Sequence, residues 1–146
     1  MSFSITMQMM DTVVSWLLEP VIIGLLVLVA VAVWELGQAV GERTGGVRRL
    51  EASGNAERLA FLARRRIDRA DLLARIGPML GLMGTLIPLG PGLAAMGRGE
   101  LDVLAQAVTV AFNTTVLGLL IGILGFLLGR LRRRWYDGAM ERMEAA

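Results

Sequence analysis

The sequence predicts an all-α integral membrane protein with three transmembrane helices. Hydrophobic residues make up 55% of the 146 residues and charged residues only 19%, against about 25% in an ordinary soluble domain. Two long stretches carry no charge at all: Val103–Gly129 with 27 residues and Ile76–Gly97 with 22. At about 1.5 Å per residue, each can cross a bilayer core of about 30 Å. The arginines are also unevenly distributed along the chain, as membrane topology requires.

The first span is less regular than the other two. Its uncharged part, Val21–Trp34, has 14 residues, and a full span over about 12–36 takes in Glu19 and Pro20. A cleaved secretory signal peptide is the alternative interpretation. Residues 1–12 contain none of the basic residues of its positive n-region, so we predict a first membrane helix.

The distribution of arginine predicts the orientation of the spans. All 15 basic residues are Arg. None precedes the first span, nine lie within 35–75, one is Arg98 in the turn at 97–102, and five follow Gly129. Because positively charged loops stay in the cytoplasm, we predict that the 35–75 segment and the C-terminus are cytoplasmic and the N-terminus is outside.

The cytoplasmic segment between the first two spans has two parts. We expect a loop or a frayed helix end over 41–54, and then a cytoplasmic helix over about 56–75 that is capped by Asn55. The Arg64–Arg66 run fits either anionic lipid headgroups or a solvated face that sets topology. With membrane helices over about 12–36, 76–96 and 103–129, the whole chain, 1–146, forms a single membrane domain.

Small residues form a stripe on one face of the third span. They follow each other in steps of three and four, which keeps them on one side of a helix. Such a face lets another helix backbone approach closely, and we expect it to support a homo-oligomer. The stripe comprises Ala111, Thr115, Gly118, Gly122, Gly125 and Gly129. The predicted helix-packing glycines are Gly77, Gly81, Gly84, Gly118, Gly122, Gly125 and Gly129.

The second span also contains prolines. The cluster Pro88-Leu89-Gly90-Pro91-Gly92 is expected to bend or end this helix, because proline frees backbone carbonyls.

Few polar residues lie within the spans. A Thr hydroxyl can bond back to its own helix, whereas the amide of Asn113 favours a helix partner or water. Glu19 is either interfacial or functional, since it lies in the outer part of the first span. Thr85 lies about 15 Å from Arg75 and Thr115 about 22 Å from Arg130, a difference of about 7 Å that helix tilt and kinking can absorb. We therefore predict that Thr85 and Thr115 lie at similar depth and line a central pore.

The composition excludes several classes of chemistry. There is no Cys and no His, which excludes disulfides, imidazole bases and the usual zinc sites. No nucleophile–base pair and no spaced carboxylate pair appears, so we predict no enzyme, metal or cofactor. The net charge of +2 does not indicate nucleic-acid binding.

Two motifs resemble a known family. Residues 75–85, Arg-Ile-Gly-Pro-Met-Leu-Gly-Leu-Met-Gly-Thr, resemble the second-span pattern Pro-Leu-Leu-Gly-Leu-Leu-Gly-Thr of the MotA/TolQ/ExbB proton channel family. Residues 115–119, Thr-Val-Leu-Gly-Leu, resemble Thr-Ala-x-Gly-Leu of its third span. The resemblance covers about residues 10–135 and includes the N-out, C-in topology. The family often carries a Glu about five residues before this Thr, where this chain has Val110.

The resemblance implies a function. It implies a pentameric ring in the cytoplasmic (inner) membrane, surrounded by lipid, around single-span helices of an ExbD/TolR/MotB-like partner. The partner carries a proton-accepting Asp, and ion flow drives rotation or force. By motif position Thr85 and Thr115 match the pore-facing threonines, and we add Asn113 to the predicted ion pathway. The alternative is a non-conducting oligomeric membrane scaffold.

Overall fold

Three long helices make up the computed structural model, which describes residues 2–46 and 56–145. Helix α1 runs over Ser2–Gly41, α2 over Ala56–Gly97 and α3 over Leu101–Glu144, with 40, 42 and 44 residues. All three are long and apolar enough to cross a membrane. The predicted all-helical fold with three helices able to cross a membrane is therefore confirmed, while the N-out, C-in topology and the ring stay predictions.

The helices extend beyond the predicted spans. Helix α2 joins the predicted cytoplasmic helix to the second span without a break, and α3 continues through the arginines after Gly129. Arginine is a good helix former, so a change from apolar to charged residues marks no helix end. The cluster from Pro88 to Gly92 does not end α2 either, since the helix continues to Gly97. Asn55 lies outside the described residues.

Helix α1 ends in a π-helical turn, Glu42–Gly46. At Gly45 the φ angle is 142°, a conformation that only glycine adopts without strain. The described part of the predicted loop or frayed end over 41–54 is therefore this turn, and residues 47–55 lie outside the described residues.

A tight turn joins α2 to α3. The Glu100 amide donates to the Ala95 carbonyl and the Gly99 amide to the Met96 carbonyl, which is the Schellman pattern of a helix C-terminus. Gly99 takes the positive φ of 82° that this turn requires. The Arg98 side chain donates to Glu100 over 3.1 Å, and this hydrogen bond and the Arg98 charge lower the pKa of the exposed Glu100 carboxyl group.

The chain divides into two compact units. The turn-side unit comprises Met1–Leu28 and Gly77–Leu120, and the arginine-side unit comprises Val29–Ile76 and Ile121–Ala146. In the turn-side unit, residues of α1, α2 and α3 are buried, including Leu25, Ile87 and Ala111. The arginine-side unit has two clusters of buried apolar residues. They are Leu59, Ala63, Tyr136 and Ala139, and Ala39, Ala70 and Leu128.

Candidate functional site

Helices α2 and α3 are in backbone contact in the turn-side unit. A Cβ atom on Gly118 would lie 2.6 Å from the Cα of Gly81 and 2.7 Å from the carbonyl oxygen of Gly77. A Cβ on Gly84 would lie 2.7 Å from the Cβ of Thr114. Because real Cβ contacts are not this short, only glycine fits at these positions. We name the contacts of Gly77, Gly81, Gly84, Thr114 and Gly118 the glycine crossing.

The arginine-side unit has contacts of the same kind. A Cβ on Gly125 would lie 2.5 Å from the amide nitrogen of Ala74 and 2.7 Å from the carbonyl oxygen of Ala70. A Cβ on Gly129 would lie 3.1 Å from a carboxylate oxygen of Asp71. Gly122 is buried in the same unit. In both units, therefore, the close contacts of α3 glycines are made with α2.

These contacts correct two expectations about the stripe. Three of its four glycines, Gly118, Gly125 and Gly129, are covered by α2 of the same chain, so the stripe is no argument for a homo-oligomer. The residue of α3 that enters the glycine crossing is Thr114, which is 6% exposed, and not Thr115. Both residues fit a spacing of three or four from their neighbours, and the spacing alone could not separate them.

The crossing places Thr85 and Thr115 at the same level. Thr85 follows Gly84 and Thr115 follows Thr114, and Gly84 and Thr114 are in contact. One residue turns a helix by about 100°. Since α2 and α3 run antiparallel in this unit, the step from Gly84 to Thr85 and the step from Thr114 to Thr115 rotate toward the same side of the helix pair. Both side chains are half-buried there.

The residue count that puts these threonines about 7 Å apart in depth overestimates their separation, and the similar depth that we predicted agrees with the contact of Gly84 and Thr114. The count assumed that Arg75 and Arg130 lie at one level. In the arginine-side unit, Ala74 contacts Gly125, so in this antiparallel helix pair Arg75 lies about six residues from the level of Arg130. That offset of about 9 Å accounts for the overestimate.

Asn113 does not join the two threonines. It is exposed and lies two residues before Thr115, which is about 200° around the helix. Within one chain, Asn113 therefore lies on the opposite side of the α2–α3 helix pair from Thr85 and Thr115. Glu19 is also exposed, on α1.

The threonine hydroxyls bond back to their own helices. Thr85 Oγ1 donates to the Leu82 carbonyl oxygen at 2.6 Å, and Thr115 Oγ1 donates to the Ala111 carbonyl oxygen at 2.9 Å. Each hydroxyl has a single proton to donate but two lone pairs. In this conformation Thr85 and Thr115 therefore present acceptors to any group beside them.

A buried ion-pair cluster lies in the arginine-side unit. Arg132 is 0% exposed, and it contacts Glu35 at 2.5 Å and Glu42 at 3.3 Å through different guanidinium nitrogens. Arg66 pairs with the second oxygen of Glu42, and Arg69 lies 3.6 Å from the second oxygen of Glu35. Each carboxylate thus has two arginine partners. The cluster connects the end of α1 and its π-helical turn with α2 and α3.

Further contacts complete this cluster. Arg132 donates to the backbone carbonyl of Arg66 at 3.1 Å, and Arg66 donates to the Tyr136 hydroxyl at 3.3 Å. On the surface, Arg133 pairs with Asp71 at 2.6 Å.

Sequence reasoning missed the cluster. The available signal was the spacing of Glu35 and Glu42, which are seven residues apart and share one face of a helix in an arginine-rich segment. No feature of the sequence indicated that Arg132 is the partner of Glu35 and Glu42.

Comparison with known proteins identifies the family. The MotA/TolQ/ExbB proton channel family matches residues 45–145, which is more than half of the chain and includes both motifs. The chain belongs to this family. The MotA/TolQ/ExbB family is one of channels and energy transducers, and this chain is accordingly a multi-pass membrane protein.

The biopolymer transport protein exbB1 of Vibrio cholerae serotype O1 is one curated relative of this member of the MotA/TolQ/ExbB family. The two are 39% identical over 77 residues, which is 50% of this chain and 34% of the relative. The matched part therefore spans about a third of that protein's length. No solved structure matches this chain.

Proposed function

We propose that the chain is the ring-forming subunit of a proton-driven, energy-transducing channel of the inner membrane. Five copies surround the single-span helices of an ExbD/TolR/MotB-like partner that carries an Asp. Family membership supports this proposal. The observation that carries it is the common level and common side of Thr85 and Thr115, the two threonines of the family motifs.

The partner must supply the titrating group. Val103–Gly129 and Ile76–Gly97 contain no charged residue, so an ion path along α2 and α3 needs a carboxylate from elsewhere. One elementary charge that crosses the membrane releases about 2.3 kcal/mol per 100 mV. Carried by the partner's Asp, this energy is available to move the partner helices against the ring.

The threonines would distinguish the two protonation states of that Asp. The hydroxyls of Thr85 and Thr115 donate hydrogen bonds to the carbonyl oxygens of Leu82 and Ala111. Their free lone pairs can therefore accept a hydrogen bond from the protonated carboxyl group of the Asp. To donate to the charged carboxylate, each hydroxyl gives up a bond to its own helix. Such a bond contributes about 1 kcal/mol, so the exchange is readily reversible.

The test is ion flux in proteoliposomes that contain the chain and its partner. Thr85→Val and Thr115→Val keep the shape of the side chain and remove the hydroxyl. We expect the double variant to lower proton flux at least tenfold while native mass spectrometry still shows a pentamer. Thr109→Val is the matched control, since Thr109 makes the same type of back-bond, to Ala105 at 2.9 Å, on an exposed part of α3.

Three results would contradict the proposal. Wild-type flux in the double variant would reject the ion-pathway role of the threonines. An intact oligomer that conducts no ions in wild-type form with its partner would favour the non-conducting scaffold. A monomer in both mild detergent and nanodiscs would reject the ring.

A further inference from the structure

A cavity of about 230 Å³ lies in the arginine-side unit, beside the end of α1. It is lined by Arg43 of the π-helical turn and by Arg134 and Arg142 of α3, together with Trp135 and Glu42. Three guanidinium groups thus belong to one concave surface. From this arrangement we propose that the cavity binds a phosphate group, supplied by the headgroup of an anionic lipid.

The charges of the cavity are not compensated by its own carboxylate. Both oxygens of Glu42 are engaged, one by Arg66 and the other by Arg132. Among the described residues, Arg43 and Arg134 have neither a hydrogen bond nor an ion pair. The unmatched positive charge of the cavity therefore comes from these two arginines.

Guanidinium groups suit phosphate. Each presents a planar set of N–H donors that binds two phosphate oxygens at once, and such charge-assisted hydrogen bonds are stronger than neutral ones. Arg43 and Arg134 approach the cavity from different elements. A phosphate group in the cavity can therefore bind both, which a phosphate on a flat basic surface cannot do as readily.

The position of the cavity favours a lipid as the source of the phosphate. Arg134 follows Gly129, the last residue of the predicted third span, by five residues, which is about 7.5 Å along α3. The headgroup region extends about 5–7.5 Å beyond the hydrocarbon core, so Arg134 is placed in its outer part. Trp135 also lines the cavity, and tryptophan is enriched at membrane interfaces. Soluble phosphate has the same recognition chemistry, and the experiment separates the two sources.

The experiment measures lipid binding to the full-length protein in mild detergent. Phosphatidylglycerol and phosphatidylcholine are titrated separately, and bound lipid is counted by native mass spectrometry. We expect tighter binding of phosphatidylglycerol. Arg43→Gln/Arg134→Gln should weaken it about 30-fold, since each arginine near an anionic surface contributes a factor of about five.

Two further variants make the test specific. Arg64→Gln/Arg65→Gln removes the same charge from exposed positions that do not line the cavity, and it should leave the affinity within about twofold of wild type. Gly138→Leu fills the cavity without a change of charge and should also weaken binding. A Cβ at Gly138 would lie 3.5 Å from its nearest neighbour, Arg142 Nη1, which is an ordinary van der Waals contact.

The outcomes distinguish specific binding in the cavity from general electrostatic binding to the protein surface. Equal affinity for both lipids, or equal losses in the two double variants, would overturn the proposal in favour of general surface electrostatics. Unchanged binding in Arg43→Gln/Arg134→Gln would overturn it as well. Displacement of the lipid by millimolar inorganic phosphate would overturn the lipid as the source and assign the cavity to a soluble anion. None of these results depends on ion conduction.

Discussion

Arg132 is an arginine without access to solvent, on a helix rich in exposed arginines. Its burial removes a charge from water, which costs several kcal/mol unless partners compensate. Glu35 and Glu42 provide the opposite charges, and carbonyl oxygens of Arg66 and Glu35 accept further hydrogen bonds from the same guanidinium. The cluster depends on its ion pairs, because Arg132, Glu35 or Glu42 without partners would be a buried, uncompensated charge.

Loss of Arg132 should therefore destabilise the protein strongly. We expect Arg132→Gln to lower the free energy of unfolding by about 3–5 kcal/mol, since Glu35 and Glu42 would remain buried with one arginine each. Arg130→Gln is the control, because Arg130 is exposed on the same helix, and it should change the free energy by less than about 0.5 kcal/mol. Denaturant unfolding in micelles, followed by circular dichroism, measures both. Similar unfolding curves for the two variants would show that the cluster contributes nothing to stability.

The sequence could not reveal this role of Arg132. Its partners Glu42 and Glu35 lie 90 and 97 residues earlier in the chain, and no spacing rule links residues so far apart. Composition indicated only that the arginines after the third span set its orientation. Back-bonding of Thr85 and Thr115, by contrast, was foreseeable, because it depends on residues three or four positions away.

At the scale of the helices, periodicity predicted which face of α3 packs closely but not which helix it contacts. The steps of three and four marked a small-residue face of α3, and glycines of that face are in close contact with α2 in both units. The partner of the face was not predictable, since a glycine stripe fits a helix of the same chain as well as one of another subunit. Helix ends were likewise hidden, because arginine-rich segments continue α2 and α3 without a break.

The register of α2 and α3 can be tested by a disulfide. A Cβ on Gly129 would lie 3.6 Å from the Cβ of Ala70, within the range of about 3.5–4.5 Å that disulfides require. The chain has no native cysteine, so Ala70→Cys/Gly129→Cys introduces a single possible pair. We expect a mild oxidant to form an intramolecular bond, seen as a shift on a non-reducing gel. Ala70→Cys/Leu127→Cys should stay reduced, because Leu127 is 49% exposed on another face of α3.

Equal cross-linking of the two pairs would show that α2 and α3 do not keep this register.

For the whole molecule, most apolar surface remains outside the chain's own core. In the most apolar windows of the three helices, only 17%, 33% and 33% of residues are buried. Large apolar side chains such as Trp16, Phe112 and Phe126 are more than half exposed. This exposed apolar surface is available for contact with lipid and with neighbouring subunits. A homo-oligomer would therefore form through these exposed faces rather than through the glycines.

The orientation of the whole chain in the membrane can be tested by cysteine labelling. We expect cysteines introduced at Asp68 and Asp137 to resist an impermeant thiol reagent in intact cells, because both lie in the arginine-rich segments. A cysteine at Asp102, next to the α2–α3 turn, should be labelled. All three positions are exposed in the chain, so protection reports the membrane and not burial. The reverse pattern, with Asp68 and Asp137 labelled and Asp102 protected, would invert the topology.

The turn of three residues between α2 and α3 has a consequence for biogenesis. Helices that touch along glycine-lined faces and are joined by so short a connection pay little loop-closure entropy when they pair. Pairing can begin beside Gly99 and proceed away from the turn, as residues more distant in sequence come into contact. The two helices can therefore leave the translocon as one hairpin, with their backbone contacts already made. Each newly made chain would then meet other subunits with its glycines already covered.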